Sequence, residues 1–336
     1  LLGFSQILFK SDIREQLLKE AKMEFSQPDR CVSLRSSSAR FNQPKAGFNV
    51  IELLILTAVL GITLMLLMPA LQYTRETTRR VNCINHLKEL SLACVEHQAT
   101  LRHYPSGGWP GPDYWMGDPD RGYGLKQPGG WTYNVLSFIE NKALHDRGLA
   151  KTAAQKKIIF SQVAQTPLAV FYCPSRRPPL AYPIPQSMTW HSYNMNPVSF
   201  GARTDYAANG RLESGMGIIF ARSVTTIKDI RDGLSHTCLL GEKNLLRDHY
   251  KDGLSKGDSL PLYGNSFWDW ERSGDTPPEQ DRRGYDNYTA FGSAHLLGFN
   301  MSFCDGNTRT IPYNIDPLMF KRLCNRNDGH VVNFPQ

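Results

Sequence analysis

Residues 48–68 form an apolar run of 21 positions interrupted by a single charge, Glu52. As a helix rising about 1.5 Å per residue it would be roughly 31 Å long, which matches the hydrocarbon core of a bilayer. After Pro69 the pattern changes. Val81, Ile84, Leu87, Leu90 and Cys94 step by three or four, while Arg79, Arg80, Lys88, Glu89 and Glu96 fall mostly off that line. This spacing predicts an amphipathic continuation of the same helix, ending near His103-Tyr104-Pro105, because the residue before a proline is pushed out of helix. The expectation is one long helix over 48–104. Its first half, 48–68, spans a membrane, and its second half docks one face on a globular body, with a bend at Pro69.

The body, 105–336, reads as a mixture of short elements. Residues 105–130 are a Gly- and Pro-rich loop. Val135, Leu136, Ile139 and Leu144 predict the buried face of a short helix, and residues 150–160 predict another. Residues 169–172, 216–221 and 237–240 are expected as short strands. Residues 249–290 are rich in Asp, Gly and Pro and contain Trp268-Asp269-Trp270; they are expected as a long surface insertion. Segments 298–304 and 308–312 flank Asp305-Gly306, a hairpin signal. Asp316-Pro317 then opens a last helix, with Asp as N-cap and Pro at the first helical position. The fold class that follows is α+β, a long N-terminal helix on a body rich in antiparallel strands.

Composition narrows the function classes. The chain has 336 residues, 41% hydrophobic and 11% aromatic, enough for a sizeable core. Of the net charge of +7, residues 1–47 contribute eight Lys/Arg against five Asp/Glu. The remainder is mildly basic and lacks the concentrated basic face that nucleic-acid binding requires. Lys and Arg are balanced on the two sides of the apolar run, so charge alone does not orient it. Arg75, Arg79 and Arg80 are placed to meet lipid headgroups or neighbouring subunits.

The run Gly47-Phe48-Asn49-Val50-Ile51-Glu52, followed by Leu, Ile and Val, resembles the processing site of type IV prepilins and pseudopilins. The resemblance implies a cytoplasmic leader, 1–47, cut between Gly47 and Phe48 by a membrane-embedded prepilin peptidase, with methylation of the new Phe48 amine. Glu52 becomes the fifth mature residue. Its carboxylate would pair with the first-residue amine of a neighbouring subunit during assembly and so remove an unpaired charge from lipid. The implied place is a single-pass cytoplasmic-membrane protein with its body outside the cytoplasm or at the cell surface. Its partners would be lipid, the peptidase and other pilin-like subunits or secretion machinery. Counted from Met23 the leader has 25 residues, and residues 1–22 are expected to lie upstream of the translated start.

Phrases in the body resemble a large bacterial family that joins such a leader to a domain of unknown function, number 1559. They are Val81-Asn82-Cys83-Ile84-Asn85, Phe171-Tyr172-Cys173-Pro174-Ser175, Thr204-Asp205-Tyr206, Asp232-Gly233-Leu234-Ser235 and Leu240-Gly241-Glu242. The last is His295, nine residues, then Asp305-Gly306. The resemblance implies a pilin-like architecture and structural roles for Cys83, Cys173, Asp232, Gly233, Glu242, His295, Asp305 and Gly306; no cofactor is expected.

Cleavage after Gly47 would leave six of the seven cysteines: Cys83, Cys94, Cys173, Cys238, Cys304 and Cys324. Outside the cytoplasm these allow up to three disulfides in fifteen pairings; buried free thiols are the alternative. No C-x-x-C occurs, so no zinc ribbon is expected. A hydrolase reading would need His295 paired with Asp305 and Ser293 as nucleophile; turn chemistry at Asp305-Gly306 explains those residues without catalysis. The acids Asp252, Asp258, Asp269, Asp275, Asp281 and Asp286 suggest either solvated loop carboxylates or a calcium site without EF-hand spacing. Trp268 and Trp270 read as core, or as a binding platform on one strand face. The expectation is a structural, non-enzymatic protein; the alternative is an extracytoplasmic binding module that uses the leader only for anchoring.

Overall fold

A computed structural model describes residues 49–111, 113–185, 192–210, 215–265 and 268–332. Gly47 and Phe48 lie outside the described residues.

One helix, α1 (Val50–Leu101), carries the N-terminal pattern, and it is long and apolar enough to cross a membrane. Its helical assignment runs through Pro69. Every side chain from 50 to 68 is exposed. From Cys83 onward the helix acquires a buried face: Cys83, Leu87, Leu90, Ser91, Ala93, Cys94, His97 and Gln98. Val81, expected on this face, is 47% exposed and Ile84 only half-buried. At about 100° per residue Val81 lies roughly 120° round from Leu87, so the true stripe begins at Cys83. The helix stops where Arg102 enters the left-handed region (φ 70°) and its amide bonds back to the Gln98 carbonyl.

The remaining helices are short: α2 (Trp131–Asn134), α3 (Lys142–His145), α4 (Ala153–Ala164) and α5 (Pro317–Cys324). Thr152 and Gln155 form a capping box at the start of α4. Asp316 caps α5 by accepting from the Met319 amide, with Pro317 in the first turn as expected.

The body is built on five strands: β3 (Tyr206–Asn209), β4 (Cys238–Glu242), β5 (Glu271–Arg272), β8 (Phe299–Phe303) and β9 (Thr308–Ile311), in the order β5-β3-β4-β8-β9. Within this sheet the pairings are antiparallel except β3–β5. Two small pairs flank them: β1 (Tyr182–Pro183) with β2 (Phe200–Gly201), and β6 (Glu279–Gln280) with β7 (Gly292–Ser293). The predicted β8–β9 hairpin forms around Asp305-Gly306. Gly306 sits at φ 85°, a conformation that favours glycine, and Asp305 accepts from the Asn307 amide. Strands β3, β4 and β8 are buried along their whole length. The docked half of α1 covers one cluster of apolar side chains on this sheet, while α5 joins the cluster containing Phe291, Phe299 and Phe303. The architecture is α+β and pilin-like: a long apolar N-terminal helix packed against a strand-rich body.

Three expectations are corrected. Residues 169–172 are not a strand: Ala169–Phe171 is a 3-10 turn that drives Phe171 under Trp131 and Tyr263. A four-residue apolar run between prolines does not distinguish the two. Residues 216–221 are a loop in which the consecutive amides of Ile218 and Ile219 both bond to the Asn209 carbonyl, and both side chains are buried. A strand would have sent them to opposite faces.

Residues 249–290 are not a surface insertion. Leu262, Tyr263 and Trp270 are core, and Asp258, Asp269, Glu271, Arg272 and Asp281 are buried with them. Three of the six acids that suggested solvent, Asp258, Asp269 and Asp281, are held inside by cations or backbone amides. Arg177 bridges Asp205 and Asp258, and Arg176 grips Asp281 with two nitrogens. Lys243 reaches Asp258 at 3.0 Å, and Asp269 accepts from the Ser259 and Leu260 amides. Burial opposes charge on Asp258, yet Arg177 and Lys243 hold its carboxyl below the usual range. Burial brings Lys243 down to about 8. Trp268 and Trp270 do not share a strand face: both precede β5 in a turn, Trp270 in the core and Trp268 against Tyr288.

Candidate functional site

Four of the motif residues, far apart in the chain, converge. Cys83 comes from the first buried turn of α1, Cys173 from the loop after the 169–171 turn, Glu242 from the end of β4, and His295 from just beyond β7. All four are buried, and their donor atoms lie within 4.8 Å of one another. Cys83 Sγ is 2.7 Å from Cys173 Sγ, Cys173 Sγ is 3.8 Å from His295 Nε2, and His295 Nε2 is 3.2 Å from Glu242 Oε1.

Each side chain is positioned by local structure. The backbone of α1 at Cys83 is held by the Tyr206 hydroxyl, which donates to its carbonyl. The Cys173 amide donates to Asp205 Oδ2 at 2.8 Å, so the buried Arg–Asp network also fixes the cysteine loop. Glu242 Oε2 accepts from the Asn300 amide on β8 at 2.7 Å, while Oε1 faces the cluster with His295 Nε2 as its polar neighbour, though without a well-directed hydrogen bond. His295 Nδ1 lies 2.9 Å from Glu76 Oε1, and the Ser175 hydroxyl donates to both oxygens of that carboxylate. With Nδ1 engaged by Glu76, Nε2 is turned inward.

The electrostatics are those of a charged cluster out of water. Burial pushes the Cys83 thiol up. Burial opposes ionisation of Cys173 too, but the neighbouring Cys83 thiol and His295 bring it below its ordinary value. Burial works against a charge on His295, yet Cys173 and Glu242 raise it to about 11. Two sulfurs, an imidazole and a carboxylate at this spacing form a donor set that a divalent metal accepts, and their burial suits a closed site rather than one open to substrate.

Not every motif residue joins the cluster. Asp232 accepts from the Asp328 and Gly329 amides and anchors the C-terminal loop, and Gly233 at φ 99° allows the turn after it. Asp305 stays in the hairpin with Asn307. His295 and Asp305 are therefore not a pair. Ser293 serves the backbone, accepting from the His295 amide and contacting Tyr313, so the hydrolase arrangement does not form. The six described cysteines are all buried and none is joined in a disulfide; beside the close Cys83–Cys173 pair, Cys238 lies against Cys324 and Cys94 is near Cys304. The acids of 249–290 do not gather into a calcium site; Asp252 pairs with His249, Asp275 with Lys321, and Asp286 caps the Lys256 amide. Glu52 is exposed in the first turn of α1.

The fold and site define a pilin-like α+β body on an apolar N-terminal helix, with a buried Cys-Cys-Glu-His cluster where helix and sheet meet. A family model described as Protein of unknown function (DUF1559) matches residues 72–318, a span that holds all four cluster residues, and the chain belongs to this family. No curated protein and no solved structure matches it.

The sequence named all four cluster residues singly but did not bring them together. Cys83 and Cys173 are 90 positions apart, and Cys173 and His295 122 apart, so no ligand spacing was visible. Glu76 carries no signal beyond being one more acid on an exposed stretch of helix.

Proposed function

We propose that this protein is a membrane-anchored, pseudopilin-like structural subunit. It is cut after Gly47 by prepilin peptidase, methylated at Phe48, and displays its body outside the cytoplasm. The observation that carries this reading is α1 itself. Residues 50–68 are exposed and apolar with one acid, Glu52, and the same helix continues as an amphipathic segment docked in the family's body. A charge at the centre of a spanning helix costs roughly 2.5–3.5 kcal/mol on insertion scales; Glu52, in the first turn, costs less, and a neighbouring amine offsets that cost. Replacing Gly47 with a bulky residue, Gly47→Leu, should leave only full-length precursor in membranes; mature protein of unchanged mass in that strain would defeat the reading. Glu52→Ala should be processed yet fail to enter pilin-like assemblies.

A second reading, a binding module that borrows the leader for anchoring, is favoured by one surface feature. Trp115 stacks on the exposed Tyr193 with ring centroids 4.8 Å apart, Trp109 meets Trp115 edge-on at 5.0 Å, and Arg121 and Arg222 lie over Trp109. Such aromatic and cationic surface suits a polymer or solute. An unaltered phenotype in Glu52→Ala, with loss of function in Trp115→Ala, would select it over the assembly role.

A further inference from the structure

We propose that Cys83, Cys173, Glu242 and His295 hold a zinc ion in a closed structural centre that fastens the docked half of α1 to the sheet. The donor set is of the kind zinc prefers: two thiolates, one imidazole and one carboxylate, four in all and buried. The His295 Nε2–Cys173 Sγ and His295 Nε2–Glu242 Oε1 distances, 3.8 and 3.2 Å, are close to the edges of a tetrahedron with metal–sulfur bonds of about 2.3 Å and metal–nitrogen or –oxygen bonds of about 2.0–2.1 Å. The two sulfurs, at 2.7 Å, part by about 1 Å to complete it.

Two details favour a cation over a Cys83–Cys173 disulfide. Glu242 Oε1 is a buried carboxylate oxygen aimed into the cluster, 3.2 Å from His295 Nε2 but without a well-directed hydrogen bond among the described residues; a cation between the two would satisfy both, and a neutral disulfide would not. His295 is arranged as a ligand: Glu76 engages Nδ1 and is itself held by Ser175, the carboxylate–histidine support that orients metal-binding imidazoles. Binding displaces the thiol protons and any Nε2 proton to solvent, and no electrons are transferred. Glu76 is then a positioning residue, acting through His295. The centre holds together a helix, a loop, a strand end and the His-(nine residues)-Asp-Gly box, whether or not the leader is processed.

The test uses the full chain, extracted from membranes in mild detergent and purified without chelator. Elemental analysis should find about one zinc per chain. Cobalt exchanged into the site should give tetrahedral visible bands and a thiolate-to-cobalt charge-transfer band. Cys173→Ala and His295→Ala should each abolish both the bound metal and that band. Glu76→Gln, at a half-exposed position that folding tolerates, should keep the spectrum but weaken affinity about 10–100-fold. The proposal is overturned if folded wild-type protein carries no metal and takes up no cobalt after thiol reduction. It is equally overturned if the metal persists unchanged in the variants, or if Cys83 and Cys173 peptides are recovered cross-linked.

Discussion

Between residues 50 and 68 every side chain of α1 is exposed, whereas between Cys83 and Gln98 eight are buried, five of them polar or ionisable by type: Ser91, His97, Gln98 and the thiols of Cys83 and Cys94. The two stretches share one helix and differ in their solvent. The first is long and apolar enough to cross a membrane, and its one acid, Glu52, lies in its first turn. The second is amphipathic because it has one protein face and one wet face, and two of its buried polar side chains bond to carbonyls elsewhere in the chain. Ser91 donates to the Phe303 carbonyl, and His97 Nδ1 lies 2.9 Å from the His103 carbonyl. The helix therefore teaches how placement of an acid separates roles. Glu52 stands exposed in the apolar first turn, where the proposed role would pair it with another subunit, while Glu76 and Glu242 lie against the two nitrogens of His295.

Breaking the ionic core beneath the docked half should have the largest effect. Arg177→Leu leaves Asp205 and Asp258 buried with one cation fewer and should cost about 3–5 kcal/mol in denaturant unfolding. The comparison itself is sharpened by making one substitution at both ends of the helix. Leu87→Ala removes a fully buried side chain and should cost about 2–5 kcal/mol, while Leu56→Ala, exposed, should leave the body's unfolding midpoint unchanged. Equal losses at both positions would contradict the division.

A pH series separates the halves next. Burial lowers His97 from 6.5 to about 4. The unfolded chain takes up that proton first, so the contribution is intact above pH 6.5 and is lost as pH falls towards 4, at up to about 1.4 kcal/mol per pH unit. His97→Phe should flatten that part of the acid limb. The smallest effect expected is at α5, where Asp316→Ala removes the cap and should cost about 1 kcal/mol in thermal melts.

What could be read beforehand follows from the range of the signals. The long helix, the Asp305-Gly306 hairpin and the Asp316-Pro317 helix start depend on residues within a few positions of one another, and they appear where the pattern placed them. The interior role of 249–290 was hidden because Asp-rich composition normally marks solvent. Its partners, Arg176 and Arg177, lie far upstream, outside any element the pattern predicted. The Cys83–Cys173–Glu242–His295 cluster was hidden in the same way: each residue stood in a recognisable phrase, but only the pairing of β4 with β8 and the docking of α1 bring the phrases to one point.

The most direct measurement is the N-terminal sequence and intact mass of the protein recovered from the cell envelope. A chain beginning at Phe48 with one added methyl group is the result expected of a subunit anchored by α1 and assembled through Glu52. A chain that still carries residues preceding Phe48 would contradict it.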